Sequence, residues 1–212
     1  MKRGSAIVVQ IANEQTAVPV DKALVRHAVH TVLFGAGVRK AKVSIAIVDD
    51  ATMARLNRQY LDHEGPADVL SFPLTPPGGS FEGEVVVGAE VARRAAPQYG
   101  WTAHDELVLY VIHGLLHLVG HDDKSPGPRA KMRQREQEVL AEVGIAGSRQ
   151  PAAGGKKRAA DSRQRAVGGE SEQKNEGATF GRGERFRRTL SDGSGRGGGN
   201  AVRGSRGQSG HA

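Results

Sequence analysis

Apolar residues follow two different periods along the first 145 residues, and these periods predict alternating strands and helices. Stretches that are apolar at every second position, or almost continuously, predict four strands, at residues 5–13, 42–50, 68–74 and 84–91. Stretches with apolar residues every three or four positions predict five helices, at residues 19–35, 50–61, 90–99, 103–120 and 127–144. Strands mixed with helices in this way indicate a single α+β or α/β domain.

The most apolar predicted helix, residues 103–120, contains two histidines. His113 and His117 are four residues apart in "LVLYVIHGLLHLVG", so both side chains project from one face of the helix. Burying an imidazole without a partner is costly, so a metal site is favoured over histidines that water or neighbouring groups satisfy. The chain has no cysteine, and any metal must therefore be held by histidine and carboxylate groups.

Three residues compete for the place of a third ligand: His121, Asp122 and Asp123. His121 continues the four-residue spacing if the helix runs on unbroken. Asp123 requires a turn, which Gly120 permits because glycine tolerates the left-handed backbone found at helix ends. Both imidazole and carboxylate are accepted zinc ligands, so the residues alone leave the choice open.

The residue after the first histidine restricts the chemistry. Zinc peptidases of the H-E-x-x-H type place a glutamate there as general base, whereas this chain has Gly114. A metal at this site could still lower the pKa of a bound water and polarise a phosphoryl or carbonyl oxygen.

Composition divides the chain at about residue 145. Residues 146–212 hold 16 of the 29 glycines, with 14 Lys and Arg against 6 Asp and Glu, a net charge of +8. The first 145 residues carry 16 basic and 17 acidic residues, a net charge of −1. We predict a folded domain at 1–145 and a disordered basic tail at 146–212 that either contacts RNA or is a solvated extension. No stretch approaches the length of a membrane span, so a cytoplasmic protein is expected.

Three ordered motifs resemble a known family. "HGLLHLVGHDD" resembles the signature H-G-x-L-H-L-x-G-x-D-H of the YbeY-type endoribonucleases, and "LNRQYLDHEGPADVLSFPL" and "GEVVVGAEVARRAA" resemble two further segments of that family. The resemblance covers roughly residues 5–145. It implies a mixed, mostly parallel four-stranded sheet packed by helices, with the metal in a cleft beside the end of the long ligand helix.

The resemblance also implies an activity and a ligand set. His113 and His117 match the first two metal ligands, and Asp123 stands where the family usually has a third histidine. His121 then occupies a variable position and is the alternative third ligand. The implied function is a single-strand-specific endoribonuclease with one zinc ion per chain. It would act in ribosomal RNA processing, including the 3′ end of the small-subunit RNA, and in ribosome quality control, with the small ribosomal subunit as partner.

A second departure concerns contact with the substrate. The family commonly has an arginine after the tyrosine of L-N-x-x-Y, whereas this chain has Leu61. Arg58 and His63 are the candidates for a phosphate contact in its place, although Arg58 is equally well explained as a solvated helix residue. No general base is identified. Two alternative functions stay open: a ribosome assembly factor with a structural metal, and a metal hydrolase of another substrate such as a peptide.

Overall fold

A computed structural model describes residues 6–76 and 78–145, and the predicted tail lies outside these ranges. The strands of the described part are β1 (Ala6–Asn13), β2 (Lys40–Val48), β3 (Val69–Pro73) and β4 (Phe81–Gly88). Its α-helices are α1 (Lys22–Gly35), α2 (Asp50–Leu61), α3 (Ala89–Ala95), α4 (Ala103–Leu118) and α5 (Pro126–Glu142). A 3-10 turn, Ala96–Tyr99, follows α3. The predicted α+β class and the number of strands are confirmed.

The four strands form one mixed sheet in the order β1-β2-β4-β3. β1, β2 and β4 run parallel to one another, and the short edge strand β3 pairs antiparallel with β4. The parallel neighbours β1 and β2 are joined through α1, as a parallel pair requires a long crossover. The mostly parallel sheet that the family resemblance implied is thus present.

Helices cover both faces of this sheet. Val43, Ile45 and Val85 point to one face and belong to the main core, which includes buried residues of α1, α4 and α5. Ala46 and Val86 have the opposite orientation and are also buried, as is Met53 of α2, which contacts β4. Because α4 packs directly on β3 and β4, the sheet fixes the position of the histidine-bearing helix.

Several predicted boundaries were wrong by a few residues. Helix α1 begins at Lys22 rather than at Pro19, because Asp21 is its N-cap and accepts hydrogen bonds from the backbone N–H groups of Ala23 and Leu24. Strand β4 begins at Phe81, within the predicted loop, because residues 81–83 pair with β2. Pairing between distant strands leaves no trace in the local apolar period.

The described helices include none that is long and apolar enough to cross a membrane.

Glu84 places a carboxyl group in a poorly solvated part of the sheet. It lies in register with Ser44 and Phe72, on the face opposite the main core. Burial raises the pKa of its carboxyl from 4.5 to about 7. The folded-state pKa is therefore above the unfolded value, so ionisation opposes folding, and stability is lost as pH rises from about 4.5 through 7.

Replacing Glu84 by Gln is expected to remove this pH-dependent loss. Because solvent reaches part of the side chain, we expect the stabilisation by Glu84→Gln to be about 1 to 2 kcal/mol greater at pH 8 than at pH 5. Urea denaturation at the two pH values measures the difference. Glu142→Gln, at an exposed position of α5, serves as the control. An equal effect of Glu84→Gln at both pH values would contradict the prediction.

Candidate metal centre

Helix α4 carries two buried histidines near its C-terminal end. A capping box between Thr102 and Asp105 starts the helix. His113 and His117 are 2% and 8% exposed, respectively. The helix stops at Leu118, and Gly120 adopts a left-handed φ of 96°. The turn predicted at Gly120 is confirmed, so the three histidines do not line up along one continuous helix.

Three side chains converge just beyond this turn. Within the described residues, His113, His117 and Asp123 form the one group of His or carboxylate side chains that could hold a metal ion. The two Nε2 atoms are 3.1 Å apart. Asp123 places Oδ2 4.0 Å from Nε2 of His113 and Oδ1 3.8 Å from Nε2 of His117. Tetrahedral zinc with bonds near 2.0 to 2.1 Å separates its ligand atoms by about 3.3 Å, so the group fits after small side-chain adjustments.

The other ring nitrogens of both histidines are held by oxygen atoms. Nδ1 of His113 lies 2.6 Å from Oε1 of Glu136, and Nδ1 of His117 lies 3.1 Å from the main-chain carbonyl oxygen of His121. An Nδ1–H that donates to these oxygens leaves Nε2 with its lone pair free, which is the form that binds a metal. Burial, and then the neighbouring His113, lower the pKa of His117, although Asp123 acts in the opposite direction. A neutral His117 imidazole is therefore favoured.

The remaining candidates for the third ligand have other contacts. His121 approaches the group through its main-chain carbonyl, which holds His117. The Asp122 carboxylate accepts a hydrogen bond from the backbone N–H of Lys124 at 3.3 Å. The main-chain carbonyl of Asp123 accepts one from Nε of Arg129 at 2.9 Å, which attaches the loop to α5. These contacts leave Asp123 as the carboxylate that faces both histidines.

Gly114 is required by the packing of α4 on the sheet. Its carbonyl accepts a hydrogen bond from the Ser71 hydroxyl at 3.1 Å. A Cβ atom at this position would lie 2.6 Å from Val85 and 2.8 to 2.9 Å from Ser71 and Val69. The peptidase-type glutamate is therefore both absent from this position and sterically excluded from it.

Of the two candidates for a phosphate contact, Arg58 lies in the last turn of α2 and His63 lies just after that helix. The Arg58 guanidinium is 3.0 Å from the Glu64 carboxylate and its side chain is 68% exposed. It lines a cavity of about 450 Å³ together with Ala54, Arg55, Gln59 and Gly65. His63 follows at an exposed position. The structure thus brings together His113, His117 and Asp123, none of which lines the cavity at Arg58.

Glu136 was missed by the sequence analysis, which assigned no functional residue to the last predicted helix, residues 127–144. A signal was available, because Glu136 lies four residues from both Met132 and Leu140, on the buried face of α5. An acidic residue on the apolar face of a helix indicates a polar partner in the core. That partner is His113.

Comparisons with known proteins match the part of the chain that contains the candidate metal site. The sequence model of the family described as endoribonuclease YbeY matches residues 10–144. A relative from Rhodopirellula baltica named endoribonuclease YbeY is 46% identical over 113 residues, which cover 51% of this chain and 57% of that protein. One of the same name from Pelotomaculum thermopropionicum is 38% identical over 148 residues, 65% of this chain and 97% of that protein.

The solution structure of a Thermotoga maritima protein also aligns with the chain. It covers 70% of this chain and 100% of that one, with a TM-score of 0.48 and 24% sequence identity. The family assignment depends on the sequence matches instead, since the family model spans most of the described residues, including all three residues of the candidate metal site. The chain belongs to the endoribonuclease YbeY family.

Proposed function

We propose that the protein is a zinc-dependent endoribonuclease that hydrolyses phosphodiester bonds within single-stranded RNA. The observation that carries the proposal is the convergence of His113, His117 and Asp123 at the end of α4, in a chain of the endoribonuclease YbeY family. Two imidazoles and one carboxylate are a ligand set typical of catalytic zinc, which keeps a fourth position open. These three side chains would hold one zinc ion per chain.

Zinc at this site would supply Lewis acidity, which polarises a phosphate oxygen and lowers the pKa of water. The chain contributes the arrangement of its ligands. His113 and His117 present Nε2 because Nδ1 of each ring is held by an oxygen atom, from Glu136 and from the His121 carbonyl, respectively. Asp123 adds a negative charge that strengthens cation binding, and Arg129 holds its main chain.

In this proposal, basic residues other than the three metal ligands contact the RNA backbone. Arg58 is exposed, and its partner Glu64 is 88% exposed, so solvent screens the pair and little energy opposes exchanging the carboxylate for a phosphate. Arg55 lines the same cavity and adds a second positive charge. Arg58 contacts a substrate phosphate in this proposal, and His63 is the neighbouring candidate for the same role.

The substrate in the cell is ribosomal RNA, including the 3′ end of the small-subunit RNA, and the partner is the small ribosomal subunit in the cytoplasm. Residues 1–145 form the catalytic domain, and residues 146–212 are a basic segment that supplies attraction for RNA. Support comes from the family motifs and from charge, because the +8 segment follows a domain of charge −1. Deleting residues 146–212 should reduce the salt dependence of RNA binding without loss of metal.

A cleavage assay on the full-length protein tests the proposed function. A labelled RNA carrying the 3′ end of the small-subunit RNA is offered as a single strand and annealed to its complement. We expect internal cleavage of the single strand, loss of cleavage on treatment with a chelator, and its return on adding zinc. Unchanged cleavage in excess chelator would contradict metal dependence.

Two other roles predict different results, one in the RNA assay and one in a separate assay with a peptide substrate. Zinc-loaded protein that binds RNA without cutting it would indicate an assembly factor with a structural metal. A hydrolase of peptides would cleave a peptide substrate instead, which the steric exclusion at Gly114 argues against.

A further inference from the structure

Glu136 is a charged residue in a position suited to an apolar one. It lies between Met132 and Leu140 on the buried face of α5, and it is 4% exposed. Moving a carboxylate from water into such a site is costly, and a well-packed apolar residue of similar volume is often equally or more stabilising. Packing of α5 alone therefore does not explain a glutamate here.

The contact that Glu136 makes is short and buried at both ends. Its Oε1 lies 2.6 Å from Nδ1 of His113, and the two side chains are 6% and 3% exposed. This separation is typical of a charge-assisted hydrogen bond. The opposite ring nitrogen of His113, Nε2, faces His117 and Asp123. The carboxylate thus holds one side of the imidazole whose other side faces the metal-binding group.

We propose that Glu136 is a positioning residue for the metal centre, which fixes the His113 ring in its orientation and in the Nδ1–H tautomer. The inference rests on the metal site of the proposed function. A histidine held in this way offers Nε2 to the cation without rearrangement. Glu136 does not touch the metal or the substrate, so it acts through His113.

Helix α5 also contacts the loop that carries Asp123. Nε of Arg129 donates to the main-chain carbonyl of Asp123, so α5 contacts both a histidine of α4 and the loop that carries the carboxylate. Helix α5 is therefore part of the metal centre, although it provides none of the three ligands. Binding of zinc would in turn stabilise the docking of α5 on α4.

Two variants separate positioning from a purely structural role. Glu136→Gln keeps the shape and an oxygen that can accept from Nδ1–H, but it removes the charge. Glu136→Leu removes both the charge and the hydrogen bond and leaves an apolar side chain of similar size. Glu142→Gln, on the same helix and 54% exposed, is the matched control.

Zinc affinity and metal-free stability are measured on the full-length protein, by competition with a chelating dye and by thermal unfolding. We expect the Kd for zinc to rise about 10- to 100-fold in Glu136→Leu, with a smaller rise in Glu136→Gln and none in the control. The Tm of metal-free Glu136→Leu should fall, because the buried Nδ1 of His113 loses its carboxylate partner, whereas Glu136→Gln keeps an acceptor and should change the Tm less. A purely structural role predicts the lower Tm alone, with zinc affinity unchanged in both variants.

The tautomer of His113 gives a readout that needs no metal. Nitrogen-15 NMR of the metal-free protein should show His113 protonated at Nδ1 in the wild type and in Glu136→Gln, but a mixture of tautomers in Glu136→Leu. Wild-type zinc affinity in both Glu136 variants would overturn the inference while leaving the metal site intact. A wild-type protein that binds no zinc would instead overturn the proposed function.

Discussion

Alanine at His113 or at His117 is expected to abolish both zinc binding and RNA cleavage. Each substitution removes one of three ligands, so zinc affinity should fall by more than about 100-fold, beyond the effect of losing an outer partner of a ligand. Zinc content is measured by elemental analysis, and cleavage on single-stranded RNA. His27→Ala, at an exposed position of α1, should retain both properties.

The two alanine variants should differ in metal-free stability. His113→Ala leaves the buried Glu136 carboxylate without its imidazole contact, which costs about 1 to 3 kcal/mol. His117→Ala gives up a hydrogen bond to a main-chain carbonyl, which solvent can replace more readily at the half-buried His121. Urea denaturation of the metal-free proteins measures this difference. Full cleavage in either variant would contradict the proposed role of the histidines.

Substitutions at Asp123 and His121 should have opposite outcomes. Asp123→Ala removes the carboxylate that faces both histidines, and zinc binding should fall at least about 100-fold, as for the histidine ligands. His121→Ala keeps the main-chain carbonyl that holds His117, so its zinc affinity should stay within about threefold of the wild type. Elemental analysis and dye competition give both values.

A third variant tests the position rather than the residue type. Asp123→His restores the ligand usual in the family and should bind zinc at least as tightly as the wild type, because imidazole is a strong zinc ligand. Retained zinc in Asp123→Ala together with loss in His121→Ala would show that the third ligand is His121.

The sequence predicted those parts of the site that depend on local spacing. His113 and His117 share a helix face, and Gly120 ends that helix, so both features follow from the period of one element. The strand number and the α+β class also follow from local patterns. The choice among His121, Asp122 and Asp123 did not, because it depends on how the chain turns after Gly120 and where α5 then lies.

Contacts between residues far apart along the chain could not be predicted from local sequence patterns. Glu136 is 23 residues from His113 along the chain, and only the packing of α5 against α4 brings them together. The start of β4 at Phe81 likewise depends on pairing with β2. The sequence analysis noted Gly114 because it stands where zinc peptidases have a glutamate. The structure shows that a glycine is needed there because α4 lies close to Ser71, Val69 and Val85.

The most direct test of the central claim is anomalous X-ray diffraction from crystals of the zinc-loaded protein, recorded on both sides of the zinc absorption edge. We predict one anomalous peak per chain, about 2.0 to 2.2 Å from Nε2 of His113, Nε2 of His117 and a carboxylate oxygen of Asp123. A peak bound by the His121 ring in place of Asp123, or zinc located away from the end of α4, would contradict the account.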